Sequence, residues 1–139
     1  MSPGATDLLV DTSVAVALVA ADHDAHVAVL RAVGSRRLGL AGHAAFETYS
    51  VLTRLPPPVR RDPPTVRRLL HENFPGTRFL GARESAALLG RLAELGIAGG
   101  SVCDALVAEA ARAHGLPLAT RDQRALDTYR SVGAEILVL

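Results

Sequence analysis

Four carboxylates stand where their side chains could bind one divalent cation. Asp11 and Asp122 each follow a short apolar run, while Glu47 and Asp104 lie within alanine-rich segments whose periodicity predicts helices. Groups at the carboxyl ends of parallel strands meet at one edge of an α/β sheet, so these acids could converge there. Carboxylate oxygens are the ligands that Mg²⁺ and Mn²⁺ prefer. The pattern therefore predicts one cation site built from all four acids.

Simpler structural roles exist for the same residues. An aspartate after a strand can cap the next helix, which would suffice for Asp11 and Asp122. Thr12 or Ser13 is a suitable cap for the first helix. Asp104, at the start of its predicted helix, could merely complement the helix dipole. Caps, however, do not require all the acids to lie on one side of a sheet, and this shared placement favours the metal site.

Helical spacing places two of the acids beside apolar faces. Apolar residues follow Asp104 at positions i+3, i+4 and i+7, whereas Glu109 and Arg112 are predicted on the opposite side. A carboxylate beside a core-facing stripe is costly unless it has a partner such as a cation. Glu47 likewise lies at the edge of an apolar face, from which its side chain can reach a cleft.

Composition excludes several other kinds of chemistry. The chain has 139 residues, a net charge of +1 and 15 basic residues, all of them arginine. Without lysine there is neither a Schiff-base nucleophile nor a P-loop lysine. The low net charge argues against nucleic-acid binding through bulk electrostatics alone. Because Cys103 is the only cysteine, no intrachain disulfide can form, and a reducing compartment is compatible.

Segments with strand and helix patterns alternate along the chain. Short apolar runs predict strands at 8–10, 38–41, 78–80, 116–120 and 135–139. Helices are predicted after residue 12 and at 23–33, 43–55, 65–71, 84–95, 104–114 and 123–131. This order predicts one three-layer α/β domain over residues 1–139, a parallel sheet flanked by helices. The proline- and arginine-rich stretch 56–68 is expected to protrude. The apolar stretch 12–21 is too short to span a bilayer and lacks the preceding basic residue of a secretory signal, so we expect a cytoplasmic protein.

Four short motifs, in order along the chain, resemble those of PIN domains. They are Leu8–Ser13, Phe46–Glu47 with Val51–Leu55, Cys103–Ala108 and Thr120–Asp122. Their order and spacing, together with the chain length, are similar to those of VapC, the ribonuclease toxins of VapBC toxin–antitoxin pairs. The resemblance implies a PIN-like α/β fold.

The resemblance also implies roles for particular residues. Asp11 and Asp104 would coordinate the metal, Asp122 would complete the site, and Glu47 would coordinate or orient. Four neighbours are implied as supporting groups: Thr12, Ser13, Thr120 and Arg121. The chain departs from the family at Cys103, where a larger residue is common, and in having no further acid within four residues after Asp122.

The implied activity is that of a Mg²⁺- or Mn²⁺-dependent endoribonuclease. Ions held by carboxylates can activate water and neutralise charge during phosphodiester cleavage. The implied partners are an RNA substrate, a VapB-like antitoxin and a second copy of the chain. Because the net charge is low, RNA would be held by local arginines, for which the candidates are Arg60, Arg61, Arg67, Arg68, Arg121 and Arg124. Aromatic residues are scarce, so base stacking is expected to contribute little.

The antitoxin has an expected docking site on the helical pair 43–55 and 65–71. An amphipathic partner helix could bury its apolar stripe there, and a partner arginine could pair with the acids. The apolar residues expected to be covered are Val51, Leu55, Leu69 and Leu70.

Other protein classes fit less well. A receiver-type phospho-acceptor domain requires paired early acids and a late lysine, and a haloacid-dehalogenase-like phosphatase requires a second aspartate where Ser13 stands. A non-catalytic PIN-fold module that binds RNA or protein is the remaining alternative, and the presence of all four acids weighs against it.

Overall fold

Four parallel strands form the central sheet of the computed structural model, which describes residues 7–139. The strands are β1 (Asp7–Val10), β2 (Arg37–Leu40), β3 (Leu118–Thr120) and β4 (Ile136–Val138). Their order across the sheet is β2-β1-β3-β4, with every neighbouring pair parallel. The carboxyl ends of all four strands therefore lie along the same edge.

Helices cover both faces of this sheet. They are α1 (Thr12–Val19), α2 (His26–Val33), α3 (Ala44–Thr53), α4 (Pro63–Asn73), α5 (Ala82–Arg91), α6 (Ser101–His114) and α7 (Leu126–Val132), with a 3₁₀ turn at Gln123–Ala125. Residues of β1 alternate between two cores. Leu8 and Val10 pack with α1 and α2, whereas Leu9 packs with α6 and α7. The predicted three-layer α/β architecture is confirmed.

Small residues allow helix α6 to pack closely on the sheet. Ala105, Ala108 and Ala111 are fully buried and recur at the spacing of one helical face. The helix ends before Gly115, whose positive φ of 64° forms a left-handed cap. It begins at Ser101, however, so Asp104 lies inside the first turn and does not open the helix.

The prediction of a strand at 78–80 is wrong. Only an isolated bridge between Ala41 and Arg78 forms beyond β2. Gly76 donates its N–H to the carbonyl of Leu38, and a Cβ at Gly39 would lie 2.1 Å from the carbonyl oxygen of Gly76. This close backbone approach, made possible by glycine, holds the segment against β2 without continuing a regular strand.

Most residues of the proline- and arginine-rich stretch 56–68 are exposed, as the sequence suggested. Pro63 and Pro64 open helix α4, a favoured place for proline, and α4 packs against α3. Only the loop before Pro63 is irregular, and the helix extends to Asn73, two residues beyond the predicted end. No helix within residues 7–139 is long and apolar enough to cross a membrane.

Glu109, predicted on the side of α6 opposite the stripe that follows Asp104, is buried. Its side chain is buried at 1% exposure, and both of its oxygens accept hydrogen bonds of 2.6 Å from Arg112. Arg91 of α5 approaches the same carboxylate to 3.8 Å. The spacing of three residues placed Arg112 correctly beside Glu109, but α5 covers this side of α6 and converts it from a solvated face into a buried one.

Candidate metal centre

Asp11 directly follows β1 and caps helix α1. Its N–H donates to the carbonyl of Ala119 at 3.1 Å, which extends the pairing with β3 by one residue. Its backbone is extended, and its side chain accepts the N–H of Val14 at 3.2 Å. The cap is thus Asp11, and the prediction of Thr12 or Ser13 as the cap is wrong. Thr12 and Ser13 are instead the first two residues of the helix itself.

The Asp11 carboxylate is buried and accepts four hydrogen bonds. It is 3% exposed. Oδ1 accepts from the Ser13 hydroxyl at 2.6 Å and from the N–H of Val14. Oδ2 accepts from the Thr120 hydroxyl and from the Tyr129 hydroxyl at 2.8 Å. Four donors fill the usual acceptor positions of a carboxylate, and they fix the orientation of the group.

The same hydroxyls connect Asp11 to the loop after β3. The Thr120 hydroxyl accepts the N–H of Asp122 at 3.0 Å, and the Ser13 hydroxyl accepts the N–H of Arg121 at 2.9 Å. Asp122 in turn accepts the N–H of Arg124 and lies 3.5 Å from its guanidinium. Asp122 is therefore held beside Asp11 by backbone bonds, and it also caps the 3₁₀ turn that follows.

Glu47 and Asp104 reach the same region from helices α3 and α6. Burial raises the pKa of Asp104, the carboxylates of Asp122 and Asp11 raise it further, and Arg124 lowers it. Burial also raises the pKa of Glu47, which His43 lowers and the Asp104 and Asp11 carboxylates raise. Asp104 is thus close enough to both strand-end acids to sense their charge, and Glu47 senses the charges of Asp11 and Asp104. That these four acids form one metal site remains a prediction.

These acids fit a hydrated divalent cation better than a fully protein-enclosed one. Within residues 7–139, no three His, Cys, Asp or Glu side chains form a ready-made metal-binding group. The available donors are hard carboxylate oxygens at partly buried positions, which is the chemistry that Mg²⁺ and Mn²⁺ require. Mg²⁺ keeps several waters and is usually bound by one or two carboxylates, so a site without three converging protein ligands is compatible with it.

The other two predicted supporting residues are Thr12 and Arg121, the sequence neighbours of Asp11 and Asp122. The Thr12 hydroxyl donates to the carbonyl of Ala44 at 3.4 Å and accepts from Thr48 at 3.3 Å, which joins α1 to the start of α3. Arg121 is exposed and contributes its backbone N–H to the network. Asp127 is exposed on α7.

Sequence reasoning missed two features of this region. The first is the hydrogen bond from Tyr129 to Asp11, for which the available signal was the position of Tyr129 on an apolar stripe with Ala125 and Val132.

The second feature is an exposed aromatic pair. Phe46 and Phe79 are 65% and 52% exposed, with ring centroids 6.0 Å apart. His43 lies 6.3 Å from the Phe46 ring, and both residues border the cavity that contains Glu47. The surface beside Glu47 is thus more aromatic than the composition suggested.

A family model described as PIN domain matches residues 8–131 of this chain. The chain therefore belongs to the PIN domain family. It is 49% identical over 131 residues to Ribonuclease VapC27 of Mycobacterium tuberculosis, covering 94% of this chain and 96% of that protein. It is 45% identical over 127 residues to Ribonuclease VapC40 of the same organism, covering 91% and 94%. Within its family the chain is of the VapC ribonuclease type, which confirms the resemblance of its motifs.

Solved structures show the same fold. The crystal structure of VapBC2 from Rickettsia felis bound to a DNA fragment from their promoter matches with a TM-score of 0.65 and 13% identity, covering 96% of this chain and 98% of that chain. The crystal structure of FitAcB from Neisseria gonorrhoeae matches with a TM-score of 0.62 and 18% identity, covering 94% and 96%. At these identities the likeness establishes the architecture alone.

Proposed function

We propose that this protein is a Mg²⁺- or Mn²⁺-dependent endoribonuclease that acts as the toxin of a toxin–antitoxin pair. The observation that carries the proposal is the hydrogen-bond network through Ser13 and Thr120 that holds Asp11 and Asp122 together at the carboxyl edge of a PIN-domain sheet. The carboxylates of Asp122 and Asp11 also raise the pKa of Asp104, and such a concentration of negative charge favours binding of a cation. The names of the two Mycobacterium relatives supply the substrate class, which is RNA.

Asp11, Asp104 and Asp122 would hold the cation, and Glu47 would orient a water or complete the ligand set. A bound divalent ion supplies a more acidic water and neutralises charge on the reacting phosphate. The chain's own contribution is rigidity, because Asp11 is fixed by four donors and Asp122 by two backbone bonds to its loop. Fixed ligands keep the reacting groups aligned.

Arginines near the acids are placed to bind RNA phosphates. Arg121 and Arg124 are exposed on either side of Asp122, and Arg54 lines the cavity that contains Glu47. Among the other predicted arginines, Arg60 and Arg61 donate to the carbonyls of Leu55 and Val59 in their own loop. The other two, Arg67 and Arg68, are exposed on α4 and could bind RNA further from the acids.

A VapB-like antitoxin and a second copy of the chain are the proposed protein partners. A shallow apolar cavity lies beside α3 and α4, with Pro63, Pro64 and Leu70 in its lining. Four apolar residues expected to be covered by the antitoxin are already half-buried in this chain, namely Val51, Leu55, Leu69 and Leu70. Leu70 also packs against the domain's own core. A partner helix would therefore cover a narrower apolar strip than the sequence suggested. An arginine from the partner could pair with the acids and compete with the cation.

Cleavage of single-stranded RNA tests the proposed activity. Wild-type protein should cleave RNA with Mg²⁺ or Mn²⁺ and not with EDTA, and Asp11→Ala should abolish cleavage. Because Asp11 also caps α1, Asp104→Asn is the cleaner variant, with an expected loss of at least about 100-fold at unchanged fold. Asp127→Asn removes an equal charge at an exposed position and should retain activity. RNA binding without cleavage by the wild-type protein would favour the non-catalytic PIN-fold module.

Co-expression with the neighbouring open reading frame tests the partner. The expected result is co-purification of a small protein that suppresses both growth inhibition and RNA cleavage. A monomer that is harmless to cells and retains no small partner would rule out the toxin assignment.

A further inference from the structure

Tyr129 joins the far end of the chain to the first acid of the site. It lies on α7 at 3% exposure, and its ring packs in the core formed by β1, β3 and α6. Its hydroxyl lies at the edge of this apolar core and donates a hydrogen bond to Asp11 Oδ2 at 2.8 Å. The core therefore supplies one hydrogen-bond donor to the site.

The two oxygens of Asp11 are held differently. Oδ2 is bonded by the hydroxyls of Thr120 and Tyr129, and both of those residues are buried. Displacing either would leave a buried donor without its acceptor, which is costly. Oδ1 is bonded by the backbone of Val14 and by Ser13, whose side chain is only half-buried. The Ser13 hydroxyl can turn to water and still accept the N–H of Arg121. Release of Oδ1 is therefore easier than release of Oδ2.

We propose that Tyr129 is a positioning residue that locks Asp11 Oδ2, so that Oδ1 is the oxygen presented to the divalent cation. The inference rests on the proposed metal centre and adds to it a direction for one ligand and a residue outside the four acids. Hydroxyl donors behind a ligating carboxylate orient it, and their loss typically weakens metal binding about 10–100-fold. Without the Tyr129 hydroxyl, the carboxylate would turn more freely about its side-chain bonds. Metal binding would then have to order the carboxylate, and this loss of conformational entropy would weaken the affinity for the cation.

Tyr129→Phe isolates the hydroxyl from the packing of the ring. Phenylalanine fills nearly the same volume in the core, so only the hydrogen bond to Asp11 is removed. Tyr49→Phe, at an exposed position on α3, is the matched control because it removes the chain's other tyrosine hydroxyl. Thr120→Val removes the second donor to Oδ2 together with the acceptor of the Asp122 N–H, and it serves as a second variant if Tyr129→Phe does not fold.

Mn²⁺ titration by calorimetry, without RNA, measures the effect directly. The dissociation constant for Mn²⁺ should rise about 10–100-fold in Tyr129→Phe and in Thr120→Val, and should be unchanged in Tyr49→Phe. Ser13→Ala removes a competitor for Oδ1 and should bind Mn²⁺ as tightly as wild type or more tightly. Thermal melts in EDTA confirm folding of each variant, and they respond to a structural role without reporting on the cation.

The outcomes separate the two proposals. Wild-type affinity in a folded Tyr129→Phe protein would overturn the positioning role and leave the metal centre intact. Weaker binding in Ser13→Ala than in Tyr129→Phe would overturn the assignment of Oδ1. Failure of the wild-type protein to bind Mn²⁺ or Mg²⁺ would overturn the proposed metal centre and this inference with it.

Discussion

At the scale of residues, Asp11 combines two roles that compete for the same oxygens. As a cap it satisfies one N–H of α1, and as an acid it would offer an oxygen to a cation. A carboxylate has two oxygens and about four acceptor positions, so both roles are possible only if some donors can be exchanged. The half-buried Ser13 hydroxyl is such a donor. This explains how one aspartate can serve both the structure and the chemistry of the site.

The acids should destabilise the protein when no metal is bound. Burial and the neighbouring carboxylates raise the pKa of Asp104, so the folded state holds this proton more tightly than the unfolded chain. The stability from that proton is fully present below the unfolded pKa of about 4 and is lost as pH rises through the folded pKa. In EDTA, Asp104→Asn should therefore melt a few degrees above wild type at pH 7, and the difference should shrink towards pH 4.

Thermal melts between pH 4 and pH 8 in EDTA measure this difference. Asp127→Asn, which removes a charge at an exposed position, should give a smaller gain at pH 7. Added Mn²⁺ should reverse the order, because only the wild-type protein gains the full stabilisation from ligand binding. A variant that melts below wild type at pH 7 in EDTA would contradict the proposed repulsion among the acids.

At the scale of elements, apolar patterns predicted those parts of the fold that depend on nearby residues. The continuously apolar β1 could be identified because burial on both faces of the sheet leaves a local signal in the sequence. Contacts between residues that are distant in the sequence left no such local signal. The bonds of Gly76 to β2 and the covering of Glu109 by α5 depend on how elements pack, which no local spacing encodes. Likewise, the acids were found through their motifs, but Tyr129 acts across 118 residues.

The ion pair between Glu109 and Arg112 lies within α6 and should stabilise the carboxylate that is buried beneath α5. Arg112→Met would leave a buried carboxylate with only Arg91 nearby, and the expected loss is about 2–3 kcal/mol of unfolding free energy. The double variant Glu109→Met/Arg112→Met removes the charge as well and should recover most of this loss. Arg83→Met, on the exposed surface of α5, should change stability by less than about 0.5 kcal/mol.

Urea denaturation of these variants measures the change. The cation site lies apart from this pair, so RNA cleavage per folded molecule should remain at the wild-type level. A loss below about 0.5 kcal/mol in Arg112→Met would mean that the bidentate hydrogen bonds contribute little net free energy, despite the burial of Glu109.

At the scale of the whole molecule, charge is arranged locally and not as a general positive field. The net charge is +1, yet exposed arginines lie close to the acids at one edge of the sheet. Such an arrangement attracts a polyanion weakly from a distance and binds a few phosphates at short range. The number of those contacts is measurable, because each phosphate contact to a single strand contributes about −0.7 to the slope of log K against log salt concentration.

Substitution of Arg54 and Arg121 should therefore flatten the salt dependence of RNA binding. Both are exposed, with Arg54 lining the Glu47 cavity and Arg121 preceding Asp122. In the Asp104→Asn background, which keeps the RNA intact, the double change to glutamine should reduce the slope by about 1.4. Arg31→Gln with Arg36→Gln removes the same charge near the amino ends of the strands, and it should leave the slope unchanged. Fluorescence anisotropy with a labelled single-stranded RNA between 50 and 300 mM KCl, about the range where counterion release dominates, provides the measurement. Equal slopes for the two double variants would mean that RNA responds to net charge alone and that the arginines beside the acids do not contact phosphate.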